Sequence, residues 1–379
     1  MKLPPFLLDH WLAAHEFASP PIRFNLASST GPAWTLRELL ALGGEAAREE
    51  LESIRLTYAP PEGSKLLRER IGQFYGVDPD WVVVTTGASE ALSVLLCLVA
   101  EPDASIVLPF PAFPAMPVMA QAWALRVQTY TLDRKAGFVQ SADQILAAVN
   151  KNTRLVLVNT PHNPTGSVME EGELQRLAGS LSERGIPLLV DEVYHPLYFR
   201  ADVPSAAKVP NAIVMSDFSK AFSLSGLRLG WIIDRDPKRR EQLINLRSYF
   251  TVSSSPLTEA IAALALAHAG SVLARLREVA QANVALLQQF MERHRSTLGW
   301  IPPEGGTVAF PWRLDGRDSR PICQALAREG VLVAPGDCFG LSAHFRIGVG
   351  AQATGFQEAL DATSRVFTSG DTSPQGTRK

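Results

Sequence analysis

A chain of 379 residues that is 46% hydrophobic and 20% charged, with a formal net charge of −2, is too long for one small domain and too apolar for a disordered tail or a fibre. The near-neutral balance supplies no basic surface for nucleic acid or for an anionic membrane. Three cysteines, Cys97, Cys323 and Cys338, form neither an even set nor a CxxC pair, which argues against a disulfide framework or a metal site and for a reducing, cytoplasmic setting.

The opening "MKLPPFLLDHWLAAHEF" interrupts its apolar residues every few positions, so it has neither a signal core nor a membrane span; Leu7, Trp11 and Leu12 fall on one face of a short helix. Further along, "VVVTT" (82–86), "SIVL" (105–108), "RLVLV" (154–158), "PLLVD" (187–191), "AIVMS" (212–216) and "LGWII" (229–233) are short, nearly continuous apolar runs. Such runs suit strands covered on both faces in a mostly parallel sheet. Helical patterns lie between several of them: "SADQILAAV", with Ser141 and Gln144 at capping-box spacing, and "EEGELQRLAGSLSERG", closed by Gly185. From Ser255 to about Leu298 the periodicity is helical throughout and predicts one long helix bridging to a second, α+β domain. The fold class expected is α/β: a large domain with a mostly parallel, seven-stranded-type sheet flanked by helices, plus a smaller α+β domain. The expected division is an N-terminal segment, 1–45, packing with the small domain; a large domain, 46–280; a C-terminal small domain, 281–368; and a polar, disordered tail, 369–379.

Candidate chemistry gathers at the carboxyl ends of the strands. "TTGASEAL" leads a strand through Gly87 into a helix beginning near Ser89, where free N–H groups converge on an anion. "NTPHNPTG" holds Asn163 in a rigid turn, which alone reads as an ordinary Asn-Pro turn. "LVDEVYHPLYF" puts Asp191 at the end of a core strand, where a carboxylate needs a partner, with Tyr194 three residues on. "SDFSKAFSLSGLRLGW" carries Lys220 and Arg228. Intervals of 28 residues (163 to 191) and 29 residues (191 to 220) each match one β/α unit, so an amide, a carboxylate and a lysine recur at one end of successive strands. A common site is the economical reading.

Taken together these motifs resemble the fold-type I, pyridoxal-phosphate-dependent aminotransferase family (class I/II), from about Phe24 to Phe367. The resemblance implies pyridoxal 5'-phosphate as cofactor, Lys220 as its Schiff-base lysine and catalytic base, and Asp191 as partner of the pyridine nitrogen. It implies Asn163 and Tyr194 as partners of the ring's phenolic oxygen, and Phe113 as the stacking aromatic, against the plain alternative of a core Phe. The phosphate falls to Ala88, Ser89, Ser219 and Arg228. Arg346 in "FRIGVG" matches the arginine that binds the substrate carboxylate, a task suited to its fork geometry. Tyr58 matches a tyrosine that reaches the neighbouring subunit's phosphate, which implies a homodimer. Trp34, in "FNLASSTGPAW", is expected either to narrow the substrate side or to pack the small domain. The expected reaction moves an amino group between an L-amino acid and a 2-keto acid.

The chain departs from the family at Asp217, where the family commonly has Ser or Thr. Two charges near 4 Å repel by about 1 to 4 kcal/mol at effective dielectrics of 80 to 20, so Asp217 is expected to turn away from the phosphate or to pair with Arg228. The same constellation also serves lyases, oxidases and cyclising enzymes, and the N-terminal pattern and serine-rich stretch resemble the capreomycidine-synthase-like branch. A cofactor-sensing regulator would need a DNA-binding extension or basic segment that the sequence does not display. His162 and His195 receive no chemistry. Glu192 is expected on the opposite side of the sheet from Asp191, in a salt bridge.

Overall fold

The computed structural model describes residues 3–16, 19 and 21–368; the tail expected to be disordered, 369–379, lies outside the described residues. Seven strands form the central sheet: β1 (Val82–Thr85), β2 (Ser105–Phe110), β3 (Arg126–Thr131), β4 (Thr153–Asn159), β5 (Leu188–Asp191), β6 (Ala212–Asp217) and β7 (Gly230–Ile233). Their spatial order is β1-β7-β6-β5-β4-β2-β3, and β7 alone runs antiparallel to its neighbours. Six of these strands coincide with the apolar runs of the sequence because their residues are covered on both faces of the sheet. The seventh, β3, reads "RVQTYT" and buries only Tyr130. An edge strand with one solvated side carries no continuous apolar run, which is why the sequence pattern does not disclose it.

Two apolar clusters sandwich this sheet. One includes Val84, Val158, Val190 and Trp231; the other includes Ile106, Leu157, Leu189 and Ile232. A third cluster joins Leu8, Trp11, Phe24 and Leu26 of the N-terminal segment to Phe345, Ile347 and Leu360. It underlies a three-stranded antiparallel sheet of Val308–Ala309, Phe345–Gly348 and Ala334–Pro335. The N-terminal helix, Leu7–Glu16, buries Leu8 and Trp11, while Leu7 is exposed, so its buried face is turned by one residue from the expected one.

The long helix expected after Ser255 is two helices, Pro256–Ala267 and Ala269–Arg293, bent by 77°. The break falls at His268, whose φ of −115° and ψ of 29° lie outside the helical region. An apolar periodicity that continues across a break cannot register a change in axis direction. Among the described residues no single helix is long and apolar enough to cross a membrane. Ser141 does cap the helix Ala142–Ala147 by accepting from the Gln144 N–H, but the Gln144 side chain donates to the Thr131 carbonyl. Only half of the expected capping box forms.

Candidate active site

The carboxyl ends of β1, β4, β5 and β6 surround a cavity of about 240 Å³. Parallel register explains the convergence: Asn159 pairs with Asp191 and Asp191 with Met215, so the residues that follow each strand emerge at one level. Ala88, Ser89, Phe113, Asn163, Asp191, Tyr194, Ser219, Lys220 and Arg228 all line this cavity, with Asp217, Asn159, Met116 and Met119.

Lys220 keeps part of its surface open to the cavity, and its Nζ donates to Ser29 Oγ at 2.9 Å. Dense protein around the amine pushes its pKa down; the Asp217 carboxylate opposes that, and Arg346 adds to it. Asp191 is buried, and its Oδ1 accepts from the Val193 N–H at 3.2 Å. Burial raises its pKa to about 7, against the Val193 N–H. The Tyr194 hydroxyl is buried beside the Ser29 and Thr307 hydroxyls, and burial pushes the phenol up to about 12 against them.

The anion cradle is built by close backbone approach. Gly87 has φ +73°, and the helix Gly87–Val99 starts there, immediately past β1. A Cβ on Gly230 would lie 2.7 Å from the Gly87 carbonyl carbon and 2.9 Å from the Ala88 nitrogen, so only glycine lets β7 run against this turn. The Arg228 side chain reaches the same place: a Cβ on Gly87 would meet its Nη2 at 3.0 Å.

Asp217 corrects both expectations made for it. It neither turns away nor pairs with Arg228: Oδ1 accepts from the Ser219 N–H at 2.9 Å, and Oδ2 from the Ala88 N–H at 3.4 Å. A helix N-terminus offers unpaired donors to any anion, and here the nearest anion is a carboxylate of the chain itself.

Arg346 is buried behind Asn163. It donates from Nη1 to Asn163 Oδ1 at 3.1 Å and from Nη2 to the Ala27 carbonyl at 2.7 Å, leaving Nε unpartnered. Asn163 is in turn fixed through its N–H to Asn159 Oδ1 at 2.8 Å, while Asn159 Nδ2 holds the Asp191 carbonyl at 3.1 Å. Phe113 meets Phe6 of the N-terminal segment edge to face at 5.8 Å.

Three expected residues are outside the cavity's lining: Arg346, which meets it through Asn163, and two that stand elsewhere. Trp34 packs on the sheet core beneath the Arg275 guanidinium, 4.5 Å from its ring centroid, and is not among the cavity's lining residues. Tyr58 is 84% exposed and outside the cavity of its own chain. Glu192 faces away from Asp191 as expected, but it accepts from the Ser205 hydroxyl and the Ala206 N–H, both at 2.6 Å. A short turn's free N–H replaces the expected cation. His162 is held by Thr165 and His195 by Tyr198, structural partnerships in keeping with their lack of assigned chemistry. Ser29 and Phe6 are site residues that no chemistry-bearing motif marked, and Asn159 opens the "NTPHNPTG" motif without a role having been read for it. Ser29 lies inside the serine-rich stretch "FNLASSTGPAW", yet its contact with Lys220 spans 191 positions.

A lysine amine opposite a buried carboxyl, with an amide, a phenol and an anion cradle at the ends of parallel strands, defines a pyridoxal-phosphate enzyme of fold type I. The described residues fit that cofactor. The buried Asp191 lines the cavity where a cationic ring nitrogen would partner it, the Tyr194 side chain lines it too, and Ser89, Ser219 and Arg228 line it beside the start of the helix at Gly87.

Comparison with known proteins agrees. Residues 32–362 match the family described as aminotransferase class I and II. The chain is 30% identical over 370 residues to capreomycidine synthase of Streptomyces vinaceus, covering 96% of this chain and 93% of that one. It is 31% identical over 324 residues to a histidinol-phosphate aminotransferase of Symbiobacterium thermophilum, covering 84% and 85%. A crystal structure of a PLP-dependent aminotransferase from Streptococcus suis superposes with a TM-score of 0.91 at 28% identity, over 99% of this chain and all of that one. The protein belongs to the class I and II aminotransferase family, and its cofactor is pyridoxal 5'-phosphate.

Proposed function

We propose that this protein is an aminotransferase that moves an amino group between an L-amino acid and a 2-keto acid. The observation that carries the reading is Lys220, an amine whose pKa burial lowers and whose Nζ meets a neutral hydroxyl in a cavity shared with Asp191. An amine so placed is ready to act as a nucleophile and as a base.

Bound in this cavity, the cofactor supplies an aldehyde for the Lys220 amine and an electron sink for charge leaving the substrate Cα. The Ala88 and Ser89 N–H groups, the Ser89 and Ser219 hydroxyls and Arg228 would bind its phosphate. Asp191 would hold a proton on the ring nitrogen, Asn163 and Tyr194 would hydrogen-bond the phenolic oxygen, and Phe113 would cover a ring face. Arg346 would grip the substrate carboxylate and so orient the Cα–H bond toward Lys220. Lys220 Nζ then takes that proton and returns it. The reading includes a cytoplasmic homodimer. Tyr58, Leu56 and Tyr249 are all more than four-fifths exposed, and Arg247 of the Tyr249 helix donates to the Pro61 carbonyl in the loop beyond Tyr58. An exposed apolar group of this kind suits a second copy of the chain.

A cyclising enzyme is the second reading, favoured by the 30% identity to capreomycidine synthase over 96% of the chain. One experiment separates them: the visible spectrum of the purified protein, with and without a panel of single amino acids, followed by product analysis. Bleaching of a yellow band with release of a keto acid, absent in Lys220→Ala, is the expected outcome. A cyclised product that keeps its α-nitrogen selects the cyclase, and turnover by Lys220→Ala removes both readings.

A further inference from the structure

The Lys220 amine meets the N-terminal segment, a part of the chain that no motif connects with the lysine. Nζ donates to Ser29 Oγ at 2.9 Å, and Ser29 is itself 9% exposed. The segment around Ser29 is clamped at successive residues. The Ala27 and Ser28 N–H groups donate to Asn25 Oδ1 at 3.0 and 3.1 Å. The Leu26 carbonyl accepts from the Gly348 N–H at 2.6 Å, and the Ser29 carbonyl from Thr307 Oγ1 at 2.9 Å. Backbone also packs directly on backbone, since a Cβ on Gly348 would lie 1.9 Å from the Ser28 carbonyl oxygen. One residue before Ser28, the Ala27 carbonyl holds Arg346.

We propose that Ser29 is a positioning residue for Lys220: its hydroxyl fixes the direction of the free amine, and the segment that carries it ties that amine to the arginine expected to anchor the substrate carboxylate. The inference rests on the reading of Lys220 as the acting amine. The physical need is plain from the charges around Nζ. Asp217 and Asp191 attract the amine, whereas Arg346 and Arg228 repel it. A flexible four-carbon side chain in that field follows the carboxylates unless a directional acceptor holds it. Ser29 is such an acceptor. It is neutral, so it suppresses the amine's reactivity less than a carboxylate contact would.

The test reads the amine itself, without turnover and without cofactor. Full-length protein freed of cofactor is labelled with trace acetic anhydride across pH 6 to 11, and acetylation of Lys220 is followed by mass spectrometry against an internal amine standard. A hydrogen bond accepted from Nζ favours the charged amine over the neutral one, so its removal lowers the labelling midpoint. Ser29→Ala is expected to lower it by at least half a pH unit, with Ser29→Thr restoring it. Ser28→Ala, whose hydroxyl bonds Thr30 in place of the lysine, is expected to leave the midpoint unchanged. A Ser29→Ala midpoint equal to wild type, or an equal shift in Ser28→Ala, overturns the proposal. Its failure is distinct from failure of the underlying reading, which shows instead as a yellow band and turnover that survive Lys220→Ala.

Discussion

Replacing Asp217 by Asn should tighten cofactor binding. The side chain uses Oδ1 to cap the Ser219 N–H at 2.9 Å, a bond that the Asn amide oxygen can keep. What the substitution removes is the charge on Oδ2, which shares the Ala88 N–H at a long 3.4 Å. Two anionic acceptors served by one N–H stand about 4 Å apart, and their repulsion is about 4 kcal/mol at an effective dielectric of 20 and about 1 kcal/mol in water. Asp217 is itself buried, whereas Ser89 is exposed and Arg228 is near, so the site falls between the two limits and a gain of about 1 to 3 kcal/mol is expected, or roughly 5- to 150-fold in affinity. The assay is absorbance titration of cofactor-free protein with pyridoxal 5'-phosphate, beside a parallel titration with pyridoxal. The gain should appear with the phosphorylated compound alone. A tenfold loss of affinity in Asp217→Asn would refute the reasoning and show that the carboxylate helps to hold the cofactor.

In cofactor-free protein, burial raises Asp191 to about 7, so the folded state binds a proton there that the unfolded state gives up between pH 4 and 7. That term lowers stability as pH rises through the window, by at most about 1.4 kcal/mol per pH unit, and Glu192 adds to it. His162, His195 and His344, whose pKa values burial lowers, act in the opposite sense, so the variant must be compared with wild type at each pH. Thermal melts should show Asp191→Asn gaining on wild type from pH 5 to 7; a difference that stays constant with pH contradicts the buried-acid account. Away from the site, Arg247 is fully buried, lies 3.5 Å from Glu90 and donates to Ser254 and the Pro61 carbonyl. Arg247→Met leaves the buried Glu90 and Glu259 without this cation and should cost about 3 to 5 kcal/mol in denaturant unfolding; a loss below 1 kcal/mol would show that the cluster relaxes into water.

The sequence by itself determined most of the sheet and most of the cavity's lining. Strands covered on both faces must be apolar throughout, and the polar residues that end them at intervals of one β/α unit must emerge together. Lys220, Asp191 and Asn163 are legible for that reason, and Arg228 through the resemblance of its motif to the family's. The edge strand Arg126–Thr131 is not, because one-sided burial leaves no apolar run, and the bend at His268 is not, because periodicity carries no axis direction. Only the tertiary structure decided which acceptor Lys220 faces and what Asp217 does. Ser29 approaches from 191 positions away without a local signature, and the Ala88 N–H, legible as an anion-binding donor, meets a carboxylate 129 positions on, since a hydroxyl or an N–H finds its partner only when packing brings the two within about 3 Å.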